Sequence, residues 1–174
     1  MTDKNDKQVF GRFLRTKNDQ KNRPRDPAND LEDVKQDVSQ FLGIGPASQY
    51  GNAVSLGKEF ASAYEGYEKT IVGHSLGGGL ATAASLATEV PAITFNPAAI
   101  TEKTMSQLSI QNAANANITN YVVTGEPLSY FQNIMGMHLP GNTVYLDAPK
   151  TSNIPFVNSL NSHEISTLKK ILVK

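Results

Sequence analysis

The segment IVGHSLGGGLATAASL, residues 71–86, constrains the fold more than any other part of the chain. It contains a Gly-x-Ser-x-Gly motif, from Gly73 to Gly77, after a short apolar run and before a run of small residues. In that context the motif predicts a sharp turn from a strand into a helix, with the Ser75 hydroxyl exposed above the edge of a sheet. Glycine is expected on both sides of the turn because a side chain there would collide with the opposite limb. The backbone N–H of Leu76 then points towards the place where an oxyanion would form.

Apolar runs alternate with amphipathic stretches along the rest of the chain. Strands are expected at 8–16, 69–74, 91–95, 118–125 and 142–146. Helices are expected at 31–42, from Pro46 to near Gly66, at 77–87, and at 162–172 with Asn161 and Glu164 capping its start. This alternation predicts an α/β fold, small and α/β-hydrolase-like, with a mostly parallel sheet and helices on both faces.

Composition narrows the classes of function. The 174 residues fit a single domain over 1–174, in which the polar segment 17–30 is expected to be a mobile loop. A formal net charge of zero argues against a nucleic-acid partner, and the absence of Cys excludes disulfides and cysteine-based metal sites. The first ten residues are polar and no apolar stretch is long enough to span a membrane. We therefore expect the protein in the cytoplasm, or exported by a route independent of a signal peptide.

A serine nucleophile requires a base and an acid, and few candidates follow the motif. The chain has three histidines, and the side chain of His74 must diverge from Ser75 on so tight a turn. Of the other two, His163 precedes the last helix and is the candidate base, whereas His138 is a candidate for the substrate mouth. Glu126 follows an apolar strand and is the candidate acid, with Asp147 as the alternative.

Several segments resemble those of a known family. They are TIVGHSLGGGLA (70–81), ITFNPAA (93–99) and YVVTGEPLS (121–129), together with a histidine near the C-terminus and, more faintly, 30–50. These segments are similar to the class 3, or fungal lipase-like, lipases of the α/β-hydrolase superfamily. The similarity is greatest to short bacterial and phage-associated members, which also occur as phospholipase domains of larger secreted effectors.

The resemblance implies hydrolysis of carboxylic esters in lipids, without a metal or a cofactor. It implies that Ser75 is the nucleophile, Glu126 the acid and His163 the base. The implied partners are a lipid or phospholipid substrate, a transient contact with a membrane surface and, for an effector, an inhibitory protein. The candidate segments for an apolar rim that makes this contact are 41–45 and 130–137. The alternative is that their apolar side chains pack in the core.

Two departures from the family pattern keep other functions open. The family usually has Asp where this chain has Glu126, and its Arg-Gly-Thr or Arg-Gly-Ser turn, which supplies a second oxyanion donor, is not matched. Thr16 is the nearest substitute. The alternatives are an inactive α/β-hydrolase fold used as a binding module, and a small-ester or thioester hydrolase.

Overall fold

The computed structural model describes residues 8–13, 47–110, 116–148 and 162–173, with the backbone alone described over 8–13. Within these ranges the chain forms five strands and five helices, with further helical backbone at 162–163. The strands are β1 (Gln8–Phe13), β2 (Glu68–His74), β3 (Ala92–Phe95), β4 (Ile118–Val123) and β5 (Asn142–Leu146). The helices are α1 (Ala47–Ala63), α2 (Leu76–Thr88), α3 (Glu102–Gln107), α4 (Pro127–Ile134) and α5 (Ile165–Leu172).

The five strands form one parallel sheet in the order β1-β2-β3-β4-β5. In its register Phe13 lies opposite Gly73, and His74 lies opposite Phe95. Because parallel strands point the same way, the residues that follow them meet at one edge of the sheet, where sites in such folds are usually built. The predicted α/β fold is confirmed.

The small side chains of α2 allow close packing on both the sheet and α1. Ala84 packs in one buried cluster with Ile71 of β2 and Ile118 of β4. A Cβ atom added to Gly57 of α1 would lie 2.8 Å from the Cβ of Ala84. The glycine that interrupts the apolar face of α1 is therefore required by the close approach of the two helices.

Both faces of the sheet are covered near its centre. Val122 and Val123 are consecutive residues of β4, and their exposed fractions are 1% and 0%. Successive side chains of a strand point to opposite faces, so neither face of β4 is open to water at this position. A sheet buried on both faces is what the apolar run at 118–125 predicts.

The predicted strands are present, with shifts at their ends. The strand expected at 8–16 ends at Phe13, and the one expected at 118–125 ends at Val123. The helix predicted at 31–42 and the loop predicted at 17–30 lie outside the described residues. The assignment of the whole chain to one domain stays a prediction.

The last predicted helix, 162–172, is interrupted: Ser162 and His163 are helical, Glu164 forms a bend, and α5 follows it. Its expected start is Ser162, but α5 starts at Ile165, and Glu164 in the N-cap position makes no side-chain cap hydrogen bond. The expected partner in capping, Asn161, lies outside the described residues. The carbonyl oxygens of Ser162 and His163, just before the bend, accept hydrogen bonds from the side chains of Asn96 and His74 and so are not used within α5. The first carbonyl that accepts from the helix is that of Glu164.

Two short helices are not among the predicted elements. In α3 the hydroxyl of Thr101 accepts a hydrogen bond from the Thr104 N–H at 3.1 Å, which caps the first turn. In α4 the side chain of Glu126 is the cap and Pro127 is the first helical residue. Proline is favoured at the first position of a helix, so Pro127 was a signal in the sequence for the start of α4.

Candidate active site

Ser75 lies at the turn between β2 and α2, as the motif predicts. Its backbone has φ 57° and ψ −128°, an unfavourable conformation for a residue other than glycine. The N–H of Ser75 donates to the carbonyl of Phe95 at 3.1 Å, and its carbonyl accepts from the N–H groups of Gly78 and Ala98, each at 2.9 Å. The conformation is thus held by backbone hydrogen bonds alone, and the hydroxyl is left for other contacts.

The glycines around Ser75 are required by close backbone contacts. A Cβ atom on Gly73 would lie 2.1 Å from the carbonyl oxygen of Gly77, across the turn. A Cβ atom on Gly78 would lie 2.7 Å from the Cβ of Pro97. Neither distance is physically tolerable, and both obstacles belong to rigid parts of the chain. The turn therefore excludes side chains at both positions.

The structure brings Ser75, His163 and Glu126 together. The Nδ1 atom of His163 lies 2.7 Å from Oε2 of Glu126, and its Nε2 atom lies 3.1 Å from the hydroxyl oxygen of Ser75. An ionised carboxylate only accepts hydrogen bonds, so Nδ1 carries the proton. Nε2 of the neutral ring is then an acceptor, and the Ser75 hydroxyl donates to it. This is the orientation that a general base needs.

Glu126 has two structural roles at once. Its side chain is completely buried, and it caps the N-terminus of α4 by accepting hydrogen bonds from the N–H groups of Leu128, at 3.1 Å, and Ser129. Oε2, which accepts from Leu128, also accepts from His163. The helix cap therefore fixes the position of the carboxylate that contacts the imidazole.

His163 comes from helical backbone at 162–163, a turn of helix that ends at the bend of Glu164, and polar side chains hold that turn. Asn96, directly after β3, is fully buried and donates from Nδ2 to the carbonyl of Ser162 at 3.0 Å. The same side chain accepts from the N–H of Val123 at 2.8 Å. Asn96 thus links the ends of β3 and β4 to the segment that carries His163. It was not among the predicted site residues, although it lies in the ITFNPAA segment that supported the family resemblance.

His74 also contacts the turn that carries His163. Its Nε2–H donates to the backbone carbonyl of His163 at 2.8 Å, and the two rings lie 5.1 Å apart. Burial lowers the pKa of His74 below its usual 6.5, an effect that the hydrogen bond to His163 partly opposes. His74 is therefore neutral near pH 7.

The candidate oxyanion donors are only partly described. Leu76 is the first residue of α2, where a helix has N–H groups without intrahelical acceptors. Thr16, the second candidate, lies outside the described residues. β1 ends at Phe13, which pairs with Gly73, so the chain leaves β1 beside the serine turn.

The remaining candidates lie away from the Ser75 hydroxyl. Asp147, the alternative acid, follows β5 and is exposed. His138 lines a cleft of about 150 Å³ with Ser129, Asn133 and Tyr145, and neither Ser75 nor His163 lines that cleft. Among the described residues, no group of three or more His, Asp or Glu side chains is arranged to hold a metal ion.

One of the two segments examined for an apolar rim is described. In α4 and the residue that follows it, Tyr130, Ile134 and Met135 are 66%, 64% and 60% exposed, whereas Leu128 and Gln132 are buried. The segment 130–137 therefore presents apolar side chains to solvent instead of packing wholly into the core. The other segment, 41–45, lies outside the described residues.

Two similarities to known proteins agree with this geometry. A family model described as a Tle-like phospholipase domain matches residues 22–167. An extracellular phospholipase A1 of Serratia liquefaciens is 43% identical over 86 residues, which are 49% of this chain and 26% of that protein. The chain thus aligns with about a quarter of the length of this relative. The expectation of a phospholipase-like domain is confirmed, and the narrower placement among class 3 lipases of the α/β-hydrolase superfamily stays a prediction.

Proposed function

The chain belongs to the Tle-like phospholipase domain family, and we propose that it hydrolyses acyl esters of phospholipids through a Ser75–His163–Glu126 triad. The observation that carries the proposal is the continuous pair of hydrogen bonds. The Ser75 hydroxyl lies 3.1 Å from His163 Nε2, and His163 Nδ1 lies 2.7 Å from Glu126. Nucleophile, base and acid have the relative positions that acyl transfer by serine requires.

Each triad member has a defined role in the first half of the reaction. His163 Nε2 takes the hydroxyl proton as the Ser75 oxygen attacks the ester carbonyl carbon. Glu126 holds the ring in the Nδ1–H tautomer and stabilises the imidazolium that forms. When the tetrahedral intermediate collapses, the C–O bond to the glycerol oxygen breaks and His163 returns the proton to that oxygen. The lysophospholipid leaves, and the acyl group remains on Ser75.

Water completes the cycle through the same groups. His163 removes a proton from a water molecule, whose oxygen attacks the acyl carbon of the Ser75 ester. Collapse of the second intermediate expels the serine oxygen, which takes the proton from His163, and the fatty acid is released. In both halves the N–H of Leu76 faces the developing oxyanion, and Thr16 is proposed to supply a second donor. Such a donor contributes about 3 kcal/mol to transition-state stabilisation.

Exposed apolar side chains beside the acid support contact with a lipid surface. Tyr130 and Ile134 are one helical turn apart on α4, and Met135 follows them. The helix that exposes them begins directly after Glu126, so the apolar group is carried by the element that fixes the acid. Side chains of this kind lower their free energy by entering the boundary between headgroups and acyl chains.

The site of action is proposed from a relative. The Serratia protein is named an extracellular phospholipase. We therefore favour export over the cytoplasmic alternative for this chain. No helix in the described part of the chain is long and apolar enough to cross a bilayer.

Hydrolysis of defined vesicles tests the proposal. Phosphatidylcholine vesicles with different acyl chains at the two glycerol positions are mixed with wild type, Ser75→Ala and Ser62→Ala. Ser62 is an exposed serine of α1 and provides the matched control. Wild type and Ser62→Ala are expected to release fatty acid at equal rates, and Ser75→Ala at a rate lower by about 10³-fold or more. The acyl chain in the lysophospholipid then identifies the ester that is cleaved.

Other outcomes support the alternatives. Cleavage of p-nitrophenyl acetate without cleavage of vesicle phospholipid indicates a small-ester hydrolase. No turnover of any ester or thioester by wild type indicates a binding module with an inactive site. Equal hydrolysis of phospholipid by wild type and Ser75→Ala excludes the triad.

A further inference from the structure

We propose that His74 is a positioning residue for His163, which it holds by a hydrogen bond to the backbone carbonyl and by contact between the two rings. The inference rests on the proposed function, because it takes His163 as the catalytic base and explains how that base is held in position. His74 would touch neither substrate nor the reacting atoms. Its effect on the reaction would pass wholly through His163.

His163 needs such support because no strand fixes it. It lies with Ser162 in helical backbone that is interrupted by a bend at Glu164, and α5 begins at Ile165. Glu126 and Ser75 contact only the two ring nitrogens. Proton transfer is sensitive to placement, and an error of 1 Å in a reacting group costs about 100-fold in rate. The backbone of His163 must therefore be held by something other than the triad.

His74 is well placed to hold that backbone. It is the last residue of β2, so the sheet and the serine turn fix its main chain. Its Nε2 atom lies 2.8 Å from the carbonyl oxygen of His163. A carbonyl only accepts hydrogen bonds, so the neutral ring of His74 must carry its proton on Nε2. The structure thus assigns different tautomers to the two rings, Nε2–H for His74 and Nδ1–H for His163.

The ring contact adds a second restraint on the base. The two imidazole centroids are 5.1 Å apart and the planes are inclined by 43°. The same His74 side chain therefore holds the backbone of His163 and limits rotation of its ring. Because His74 directly precedes Ser75, a displacement of the serine turn would also move the group that positions the base.

Asn96 complements this contact but does not replace it. Its Nδ2 atom lies 3.0 Å from the carbonyl of Ser162 and 3.4 Å from that of His163. The shorter hydrogen bond therefore goes to the preceding residue. His74 is the closer donor to the carbonyl of the base itself, from the strand next to the one that carries Asn96.

Residue 74 must supply a hydrogen-bond donor that carries no charge. The groups that act electrostatically on His74 are His163, Glu126 and Glu164. During acylation His163 becomes an imidazolium, and a second cation about 5 Å away would oppose that step. Burial lowers the pKa of His74 and so keeps the ring neutral. A neutral Nε2–H donor satisfies both conditions, whereas Lys or Arg would not.

Two variants separate the hydrogen bond from the volume of the ring. His74→Gln places an amide N–H near the position of Nε2, and His74→Leu fills similar space without a donor. In vesicle hydrolysis we expect kcat of His74→Leu to fall about 10- to 100-fold with KM within about 2-fold of wild type. His74→Gln is expected to recover kcat to within about 3-fold of wild type, because it restores the donor. A loss caused only by destabilisation would follow the melting temperature in both variants.

Imidazole NMR tests the inference without activity. Correlation of the ring protons and nitrogens of ¹⁵N-labelled Ser75→Ala identifies the tautomers at pH 7.5. We expect Nε2–H for His74 and a downfield Nδ1–H resonance for His163, which broadens in His74→Leu and returns in His74→Gln. The spectra are recorded on Ser75→Ala, which is inactive under the proposed function. The NMR result therefore does not depend on measured hydrolysis.

Three results would overturn the proposal. One is an Nδ1–H tautomer for His74, because Nε2 could then not donate to the carbonyl. This result can be observed even if His74→Leu does not fold. Another is equal kcat for His74→Leu and wild type. The third is an equal loss in His74→Gln and His74→Leu, which would show that the donor is not the cause. A failure of the triad itself has a different signature, since wild type would then hydrolyse phospholipid no faster than Ser75→Ala.

Discussion

The candidate active site has two halves that are held in place by different means: the turn of Ser75, the proposed nucleophile, and the pair Glu126 and His163, the proposed acid and base. The backbone of Ser75 is fixed by backbone hydrogen bonds and by glycines that permit close contact. The Glu126 side chain is fixed by the nearby N–H groups of α4, and the His163 backbone by side chains that are distant in sequence. The nucleophile half therefore depends on the geometry of the chain, and the acid–base half depends on the identity of a few polar residues. Substitutions in the first half should affect stability, and substitutions in the second should affect activity first.

The largest expected effect is at the acid. Glu126→Gln keeps an oxygen that can cap α4 but removes the carboxylate charge and its control of the His163 tautomer. We expect kcat to fall about 10³- to 10⁴-fold. Steady-state hydrolysis of vesicles measures this change. Asp147→Asn, which changes the exposed alternative acid, should alter kcat by less than about 2-fold. A larger loss in Asp147→Asn than in Glu126→Gln would reverse the assignment.

Substitutions of the glycines at the Ser75 turn are expected to lower the stability of the folded protein. Gly73→Ala places a Cβ atom 2.1 Å from the carbonyl oxygen of Gly77, a backbone atom that cannot rotate away. We expect a loss of about 3 kcal/mol or more in the free energy of unfolding, measured by urea denaturation. Gly51→Ala is the control, because its Cβ atom would lie at an ordinary 3.9 Å from a Leu108 methyl group. That substitution should be neutral or stabilising, since alanine favours a helix.

A smaller and mixed effect is expected at the junction of the two halves. Asn96→Gly removes hydrogen bonds to Ser162 and Val123, and glycine tolerates the positive φ of 40° at this position. We expect a loss of about 2 kcal/mol in the free energy of unfolding, together with a lower kcat. The control is Asn133→Gly, at an exposed position near the end of α4. An intact kcat in Asn96→Gly would show that the turn holds His163 without this link.

The smallest expected effect is a pH dependence of stability at His74. Its pKa in the folded protein is lowered from 6.5, so the unfolded chain binds the proton more readily. Stability is therefore complete above the unfolded pKa and decreases as the pH falls below it. Urea denaturation between pH 7.5 and 5 should show a steeper acid loss for wild type than for His74→Gln. Parallel curves would argue against a neutral, buried His74.

The same contrast explains how far the sequence could predict the site. The serine turn is contiguous, so its glycines and the preceding apolar run could be interpreted without knowledge of the fold. Chain order and residue type then favoured Glu126 and His163, and the structure places both beside Ser75. Asp147 remained open as the acid because the sequence does not show which carboxylate the fold buries.

The supporting residues could not be predicted in the same way. Asn96 and His74 meet the His163 turn across 66 and 89 residues of chain, and only the parallel sheet brings their strand ends together. The bend at Glu164 could not be predicted either, and it follows directly after the two carbonyls that these contacts use. By contrast, the start of α4 had a local signal in Glu126 and Pro127. That signal could be interpreted as a helix start only after the structure showed that Glu126 caps the helix.

The most direct measurement of the proposed chemistry is intact mass after exposure to a long-chain fluorophosphonate. The probe reacts with a serine only when a base activates it, and it leaves one covalent adduct. We expect a single adduct on wild type and on Ser62→Ala, and none on Ser75→Ala. An adduct on Ser75→Ala, or no adduct on wild type, would contradict an activated serine at this turn.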